Sequence, residues 1–257
     1  MIMVLAPEIR GPCRESRLRA DTGNPDCSGP APAGVFGRFE STVRDRYPPR
    51  VLVLAVGGCS SGVGKTTLAC RLLEALPGWG ALKVTPLHKE PCRGPDRCPI
   101  CAGIDAEHSL LTLPEDLDRP GSDTDLYRRA GASRVAWLKN RPGNRAAGIE
   151  EALRAFDGLP GLIAEGNGFA LNASPSASIV VGRAGLREVK PSARPLLPIA
   201  SWVVVNRSEA TPEEEVIRVE SSLQRWGAER ILELNAAAAV DAGTAGFLRE
   251  IRTWARG

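Results

Sequence analysis

Residues 51–76 read VLVLAVGGCSSGVGKTTLACRLLEAL, and this stretch decides the fold. Its first six residues are continuously apolar and rich in Val, the signature of a strand covered on both faces. A glycine-rich turn follows, and then Lys-Thr-Thr opens an amphipathic helical pattern over 65–76. Strand, glycine-rich turn and helix in that order form a phosphate loop. Backbone N–H groups of Ser61, Gly62, Val63, Gly64, Lys65 and Thr66 can converge on a phosphate, helped by the positive end of the helix. Gly62 and Gly64 permit backbone angles that a Cβ forbids. Lys65 is placed to neutralise β- and γ-phosphate oxygens, Thr66 to offer its hydroxyl to Mg²⁺, and Thr67 to reach the α-phosphate. The usual spacing asks for Gly at position 59, where this chain has Cys59, and Gly57 and Gly58 are expected to supply the turn instead.

Outward from the loop, further strands are predicted over 81–85, 134–138, 161–164, 177–181, 202–205 and 230–234. Helical patterns lie over 125–130, 146–156, 211–226 and 245–254. This alternation predicts right-handed βαβ crossovers. The expected fold is α/β: a mainly parallel, doubly wound P-loop NTPase sheet of about seven strands with helices on both faces. Ligands then sit beyond the carboxyl ends of the strands. Residues 1–50 are Pro-, Gly- and Arg-rich with no sustained apolar period, and a poorly ordered leader is expected there. The nucleotide-binding domain is expected over 51–257.

The chain has 257 residues, 43% hydrophobic and 25% charged, with a net charge of +3. That composition excludes collagen, coiled coils and wholly disordered chains. No apolar run approaches the roughly 18 residues of a membrane helix, so no membrane partner is expected. A charge of +3 gives no argument for nucleic acid. Without a secretory signal, a cytoplasmic location is expected, and the odd count of seven Cys does not read as a disulfide framework.

Three of those Cys fall within an insert at 87–103, LHKEPCRGPDRCPICAG. Cys92, Cys98 and Cys101 stand as C-x5-C-x2-C, with His88 four residues upstream of Cys92. Two thiolates spaced C-x2-C can grip one metal ion, and His88 or Asp96 could complete a zinc site. Three thiolates and an exchangeable fourth position equally suit a [4Fe–4S] cluster. With little else to hold this Pro- and Gly-rich loop, a ligand site is favoured.

Other candidates lie at strand ends. Glu165 closes an apolar strand and is placed to hold Mg²⁺ through water. Asp123 opens a helix, where it is placed to act as the N-cap. Asn206-Arg207-Ser208-Glu209 follows a strand in the manner of the N-[KR]-x-D element that reads guanine. Asn206 would bond the base and the Arg207 stem would cover it, with Glu209 one methylene longer than the usual Asp; GTP and ATP both remain open. Lys is scarce, at 65, 83, 89, 139 and 190, and Lys190 could meet an anionic substrate.

SSGVGKTT resembles the phosphate loops of dethiobiotin synthetase and cobyrinic acid amide synthetase, within the class that includes the Mrp/MinD ATPases. The last group has an extra Lys where this chain has Ser60. GSDTDLYRRAGASRVAWL at 121–138 and LIAEGNG at 162–168 resemble segments of the molybdopterin-guanine dinucleotide biosynthesis protein B family. Gly121, Asp123, Thr124, Arg128, Ala130, Gly131 and Ala132 agree with the first segment, while Ser122 and Leu126 depart from it. The resemblance spans about 51–206. It implies catalytic roles for Lys65, Glu165 and Asp123, and a Mg-dependent GTPase or ATPase of slow turnover assisting metal-cofactor assembly. A small-molecule or cofactor-assembly protein partner and a homodimer follow from the same likeness. A small-molecule ligase of the dethiobiotin synthetase kind, its acid substrate held by Lys190 or by Lys83 and Lys89, and a non-hydrolysing regulatory protein are the alternatives.

Overall fold

Strand β1 (Leu52–Gly58) lies between β5 (Gly161–Glu165) and β6 (Ala177–Arg183), parallel to both. Side chains alternate across a strand, so with both faces covered every second residue faces a different core. Val53 and Ala55 enter one apolar cluster, and Leu54 and Val56 the other. Hence the unbroken apolar run. The computed structural model describes residues 51–89, 100–101, 104, 106–142, 145–238 and 241–257. The expected leader at 1–50 lies outside the described residues.

The sheet has eight strands in the order β3-β4-β2-β5-β1-β6-β7-β8. The remaining strands are β2 (Gly80–Pro86), β3 (His108–Leu111), β4 (Val135–Asn140), β7 (Trp202–Asn206) and β8 (Ile231–Leu234). Every pairing is parallel except β3 with β4. On one face pack α1 (Lys65–Ala75), α3 (Asp123–Arg129) and α7 (Ala242–Trp254), contributing Leu68, Leu72, Tyr127, Phe247 and Ile251. On the other lie α4 (Arg145–Arg154), α5 (Asn167–Asn172), α6 (Glu213–Arg225) and a 3-10 helix, Arg194–Ile199. These bring Ile149, Phe169, Leu196, Val219 and Leu223 to the second core. The sheet is doubly wound, as expected.

The structure adds what the sequence pattern did not predict. Strand β3 is an eighth, antiparallel edge strand of four residues, and α2 (Pro114–Leu117), α5 and the 3-10 helix were likewise absent from the expectation. Each is under two turns or a single short strand, too brief to show a period. Helix α3 starts two residues earlier than predicted, and its cap is Ser122, whose hydroxyl accepts from Asp125 N at 3.3 Å. Asp123 is therefore not the cap.

Close approach explains one strand glycine. A Cβ on Gly161 would overlap the indole of buried Trp79, which packs at a tilt against Trp254 of α7 at 6.1 Å between ring centroids. Gly161→Ala should destabilise the fold by about 2 kcal/mol, lowering the thermal midpoint by roughly 4–8 °C. Calorimetric or circular-dichroism melting of the two proteins side by side checks this. An unchanged midpoint would mean that the indole moves aside freely.

Candidate nucleotide and magnesium site

The phosphate loop runs from the end of β1 into α1. Gly62 and Gly64 have φ of 68° and 94°, the left-handed region, so these two make the turn. Gly57 and Gly58 instead finish β1, which corrects the expectation that they replace the missing glycine. Cys59 needs no glycine conformation. Its N–H donates to Val181 O at 2.8 Å, its carbonyl accepts from Lys190 N at 2.9 Å, and its side chain is buried. Burial pushes its thiol up to about 11, against the pull of Lys190 and Lys65, so it stays protonated at neutral pH. Gly58 is required for another reason: a Cβ there would stand 2.7 and 2.9 Å from the Lys65 stem, which lies across it.

No side chain caps α1 at its Gly64 end, so its first N–H groups remain open to an anion. Ser61, Gly62 and Thr67 are exposed, Gly64, Lys65 and Thr66 are half-buried, and the Val63 side chain is core. Lys65 Nζ reaches only the Ser60 carbonyl, at 3.5 Å. A cavity of about 490 Å³ opens along the loop, lined among others by Ser60, Ser61, Gly62, Arg183 and Lys190.

Beside the loop sits a charged cluster. The parallel register of β2 and β5 sets Lys83 against Glu165, the last residue of β5, whose side chain is 2% exposed. Lys83 Nζ lies 2.7 Å from Glu165 Oε1 and 2.5 Å from Asp123 Oδ2. The other oxygen of each carboxylate faces the phosphate loop. Thr66 Oγ1 stands 2.9 Å from Glu165 Oε2 and 3.0 Å from Asp123 Oδ1. Tyr127, buried on α3, also donates its hydroxyl to Glu165 Oε2. Burial and the Glu165 charge hold that phenol well above its ordinary range, so it donates throughout the physiological range. For Lys83, burial favours the neutral amine, but Glu165 and Asp123 outweigh it and the net shift is upward.

The donor set suits a hard cation. Thr66, Asp123 and Glu165 offer only oxygens, the ligands of Mg²⁺. Tyr127 already donates to Glu165 Oε2, so the single Thr66 proton can serve Asp123 Oδ1, and the Thr66 oxygen keeps its lone pairs for a cation. Thus the structure brings Thr66, Asp123 and Glu165 together around one point, and Lys65 lines a cavity with Glu165. Lys83 and Tyr127 belong to the same cluster; the sequence reading offered Lys83 only as a holder of an acid substrate, with Lys89, and gave Tyr127 no role. Their only signals were the scarcity of Lys and the place of Tyr127 within the 121–138 segment.

Asn167, another residue the sequence reading passed over, directly follows Glu165-Gly166. Its Oδ1 accepts from Gly58 N at 2.8 Å, and its Nδ2 donates to Gly58 O at 3.1 Å and Ser192 Oγ at 3.2 Å. This clamp ties the end of β5 to the root of the phosphate loop. At the end of β7, Asn206 meets the loop's other limb, donating to Val63 O at 3.2 Å and accepting from Ala236 N at 3.2 Å. A Cβ on Gly64 would collide with this amide. The Arg207 guanidinium is held by Glu213 at 2.9 Å and Glu233 at 2.5 Å, while Glu209 is exposed.

The Cys-rich insert is described only at its ends. Cys92, Cys98 and Asp96 lie outside the described residues; His88 is exposed and Cys101 buried. Among the described residues no cluster of three or more His, Cys, Asp or Glu could hold a metal. The expectation that little besides a ligand secures this loop needs correction. Buried Arg141, following β4, donates to the carbonyls of His88 at 2.8 Å, Ile104 at 2.8 Å and Ala106 at 3.1 Å. One guanidinium thereby draws the two ends of the insert together.

No protein-family model matches the chain, and no curated protein matches it. Solved structures do. The hydrogenase maturation factor HypB from Archaeoglobus fulgidus superposes with a TM-score of 0.51 at 15% identity, over 80% of this chain and 90% of that one. HypB from Helicobacter pylori in complex with nickel gives 0.49 at 15%, over 82% and 91%. A ParA family ATPase from Chlorobium tepidum gives 0.37 at 11%, over 82% and 99%. The chain has the P-loop NTPase fold. At such identities the likeness concerns the fold alone.

Lys83→Met strands two carboxylates, one of them buried, and should destabilise the protein by about 3 kcal/mol. Adding Glu165→Gln in the same chain should recover most of that loss, because the two residues act as a pair. Urea unfolding of both variants provides the measurement, and additive losses would show that the pair is not coupled. Since the Lys83 pKa is raised in the folded state, its contribution is fully present below the ordinary value of 10.5. It is lost only as pH rises through the higher folded value.

Proposed function

We propose that this protein binds GTP or ATP with Mg²⁺, hydrolyses it slowly, and serves the assembly or delivery of a molybdopterin-type metal cofactor. The observation that carries the first part is the Thr66 hydroxyl, set between the carboxylates of Glu165 and Asp123 at the mouth of an uncapped phosphate loop. The loop N–H groups and Lys65 would hold the β- and γ-phosphates. Thr66 would hold Mg²⁺ directly, with Asp123 and Glu165 behind it, and bound Mg²⁺ supplies charge neutralisation of the phosphates. Asn206 would meet the base beside the loop.

Slow turnover follows from the same cluster. Glu165 and Asp123 are both paired with Lys83, so neither is free to take a proton from attacking water. The role in cofactor assembly rests on the 121–138 and 162–168 resemblance and on the Cys insert, read as a zinc or [4Fe–4S] site facing a partner. A cytoplasmic location and a homodimer belong to the same reading.

Isothermal titration with GTP and ATP is the direct test. Micromolar binding should appear with Mg²⁺, weaken on chelation, and fall at least about tenfold in Lys65→Ala, the worth of one charge-assisted contact. No binding of either nucleotide at millimolar concentration overturns the proposal. Anaerobically purified protein should carry zinc or iron, lost in the double variant Cys98→Ser/Cys101→Ser. Unchanged metal content and hydrolysis in that variant would remove the metal role of the insert.

A further inference from the structure

A second cavity, about 380 Å³, opens at the carboxyl ends of β2, β4 and β5, the edge where open α/β sheets hold their ligands. It shares Lys65, Lys83, Glu165 and Lys190 with the phosphate-loop site, and its other walls come from β2, β4, α4 and α5. Arg145, at the start of α4, and Lys190, on the connection after β6, both line it. The positive charge of Lys83, also on the wall, is offset by Glu165 and Asp123. Arg145 and Lys190 have no carboxylate partner among the described residues. Burial and the neighbouring Lys65 disfavour the charged form of Lys190, so an anion between these groups would relieve a standing cost.

Asn140 adds an independent observation. It is 3% exposed at the end of β4, and its Nδ2 donates to Arg145 O at 3.2 Å. Its Oδ1 is buried and has no hydrogen-bond partner among the described residues. A buried acceptor left unpaired costs about 1–3 kcal/mol, and native structures keep few of them. Ile149 and Phe169 supply apolar wall, and Leu171 keeps 37% of its surface exposed at the rim.

We propose that this cavity binds a small organic anion with an apolar body. Its carboxylate or phosphate lies between Arg145 and Lys190, a turn of the Asn140 amide brings the unpaired Oδ1 to an N–H or O–H group of the ligand, and the body packs on Phe169, Ile149 and Leu171. The binding itself does not depend on nucleotide. Only the further consequence, that the anion lies beside the terminal phosphate held by Lys65, rests on the nucleotide reading above.

The test uses three matched probes on the nucleotide-free full chain: 4-hydroxybenzoate, 4-hydroxyphenyl phosphate and neutral 4-hydroxybenzamide. Methyl-labelled Ile and Leu report by nuclear magnetic resonance. At least one anionic probe should shift Ile149 and Leu171 saturably, and the benzamide should not; which anion binds more tightly identifies carboxylate or phosphate as the preferred group. Arg145→Gln/Lys190→Gln should weaken the binding at least about tenfold, the loss of a charge-assisted contact. Equal shifts from the benzamide, no saturable shift from either anion, or an unchanged affinity in the double variant overturns the proposal. Nucleotide titrated separately into the same samples reports on the nucleotide reading alone, so the two can fail independently.

Discussion

A buried carboxylate at the end of a central strand must be neutralised, and the site is arranged around that need. Glu165 is 2% exposed, and an unpaired charge so placed would be prohibitive. Lys83 meets it from β2, Thr66 from α1 and Tyr127 from α3, so one carboxylate gathers three elements. Asp123 joins through the same two partners, Lys83 and Thr66. The cluster holds the first residues of α1 against the sheet edge, which gives the phosphate loop a fixed base. Removing its cation disturbs both the fold and the geometry of the loop.

Backbone clamps complete the arrangement. Asn167 grips both polar groups of Gly58 before the loop begins, and Asn206 grips Val63 O within it. The two asparagines come from opposite sides of β1, one following β5 and one ending β7. Beyond these anchors the start of α1 has no side-chain cap, which leaves its first N–H groups open to an anion. Preorganised donors of this kind need no reordering when an anion arrives. The strand order places β1 in the middle of the sheet, so clamps can reach it from both sides.

Much of this was legible in the residues. The unbroken run at 51–56 marked a strand covered on both faces, and the loop, Glu165 and Asn206 each stood at a strand end. Periodicity failed on short pieces, namely β3, α2, α5 and the 3-10 helix, because four to six residues complete too little of any period. The motif spacing misassigned Gly57 and Gly58, and neighbours explain Gly58: the Lys65 stem needs the space over it. Arg141 had no sequence signal, since its three carbonyl partners lie 35 to 53 residues away in the chain.

Sequence by itself determined the alternation of strands and helices, the phosphate loop and the placement of carboxylates at strand ends. These are local properties, set by side-chain period, backbone freedom and turn chemistry within a few residues. Tertiary structure alone decided that Lys83 neutralises Glu165 and Asp123 while Arg145 and Lys190 stay without a carboxylate partner among the described residues. It also left the buried Asn140 Oδ1, on a residue of the cavity wall, without a donor among the described residues. Charge pairing and buried polar satisfaction depend on strand order and register, which bring together residues as far apart as 83 and 165.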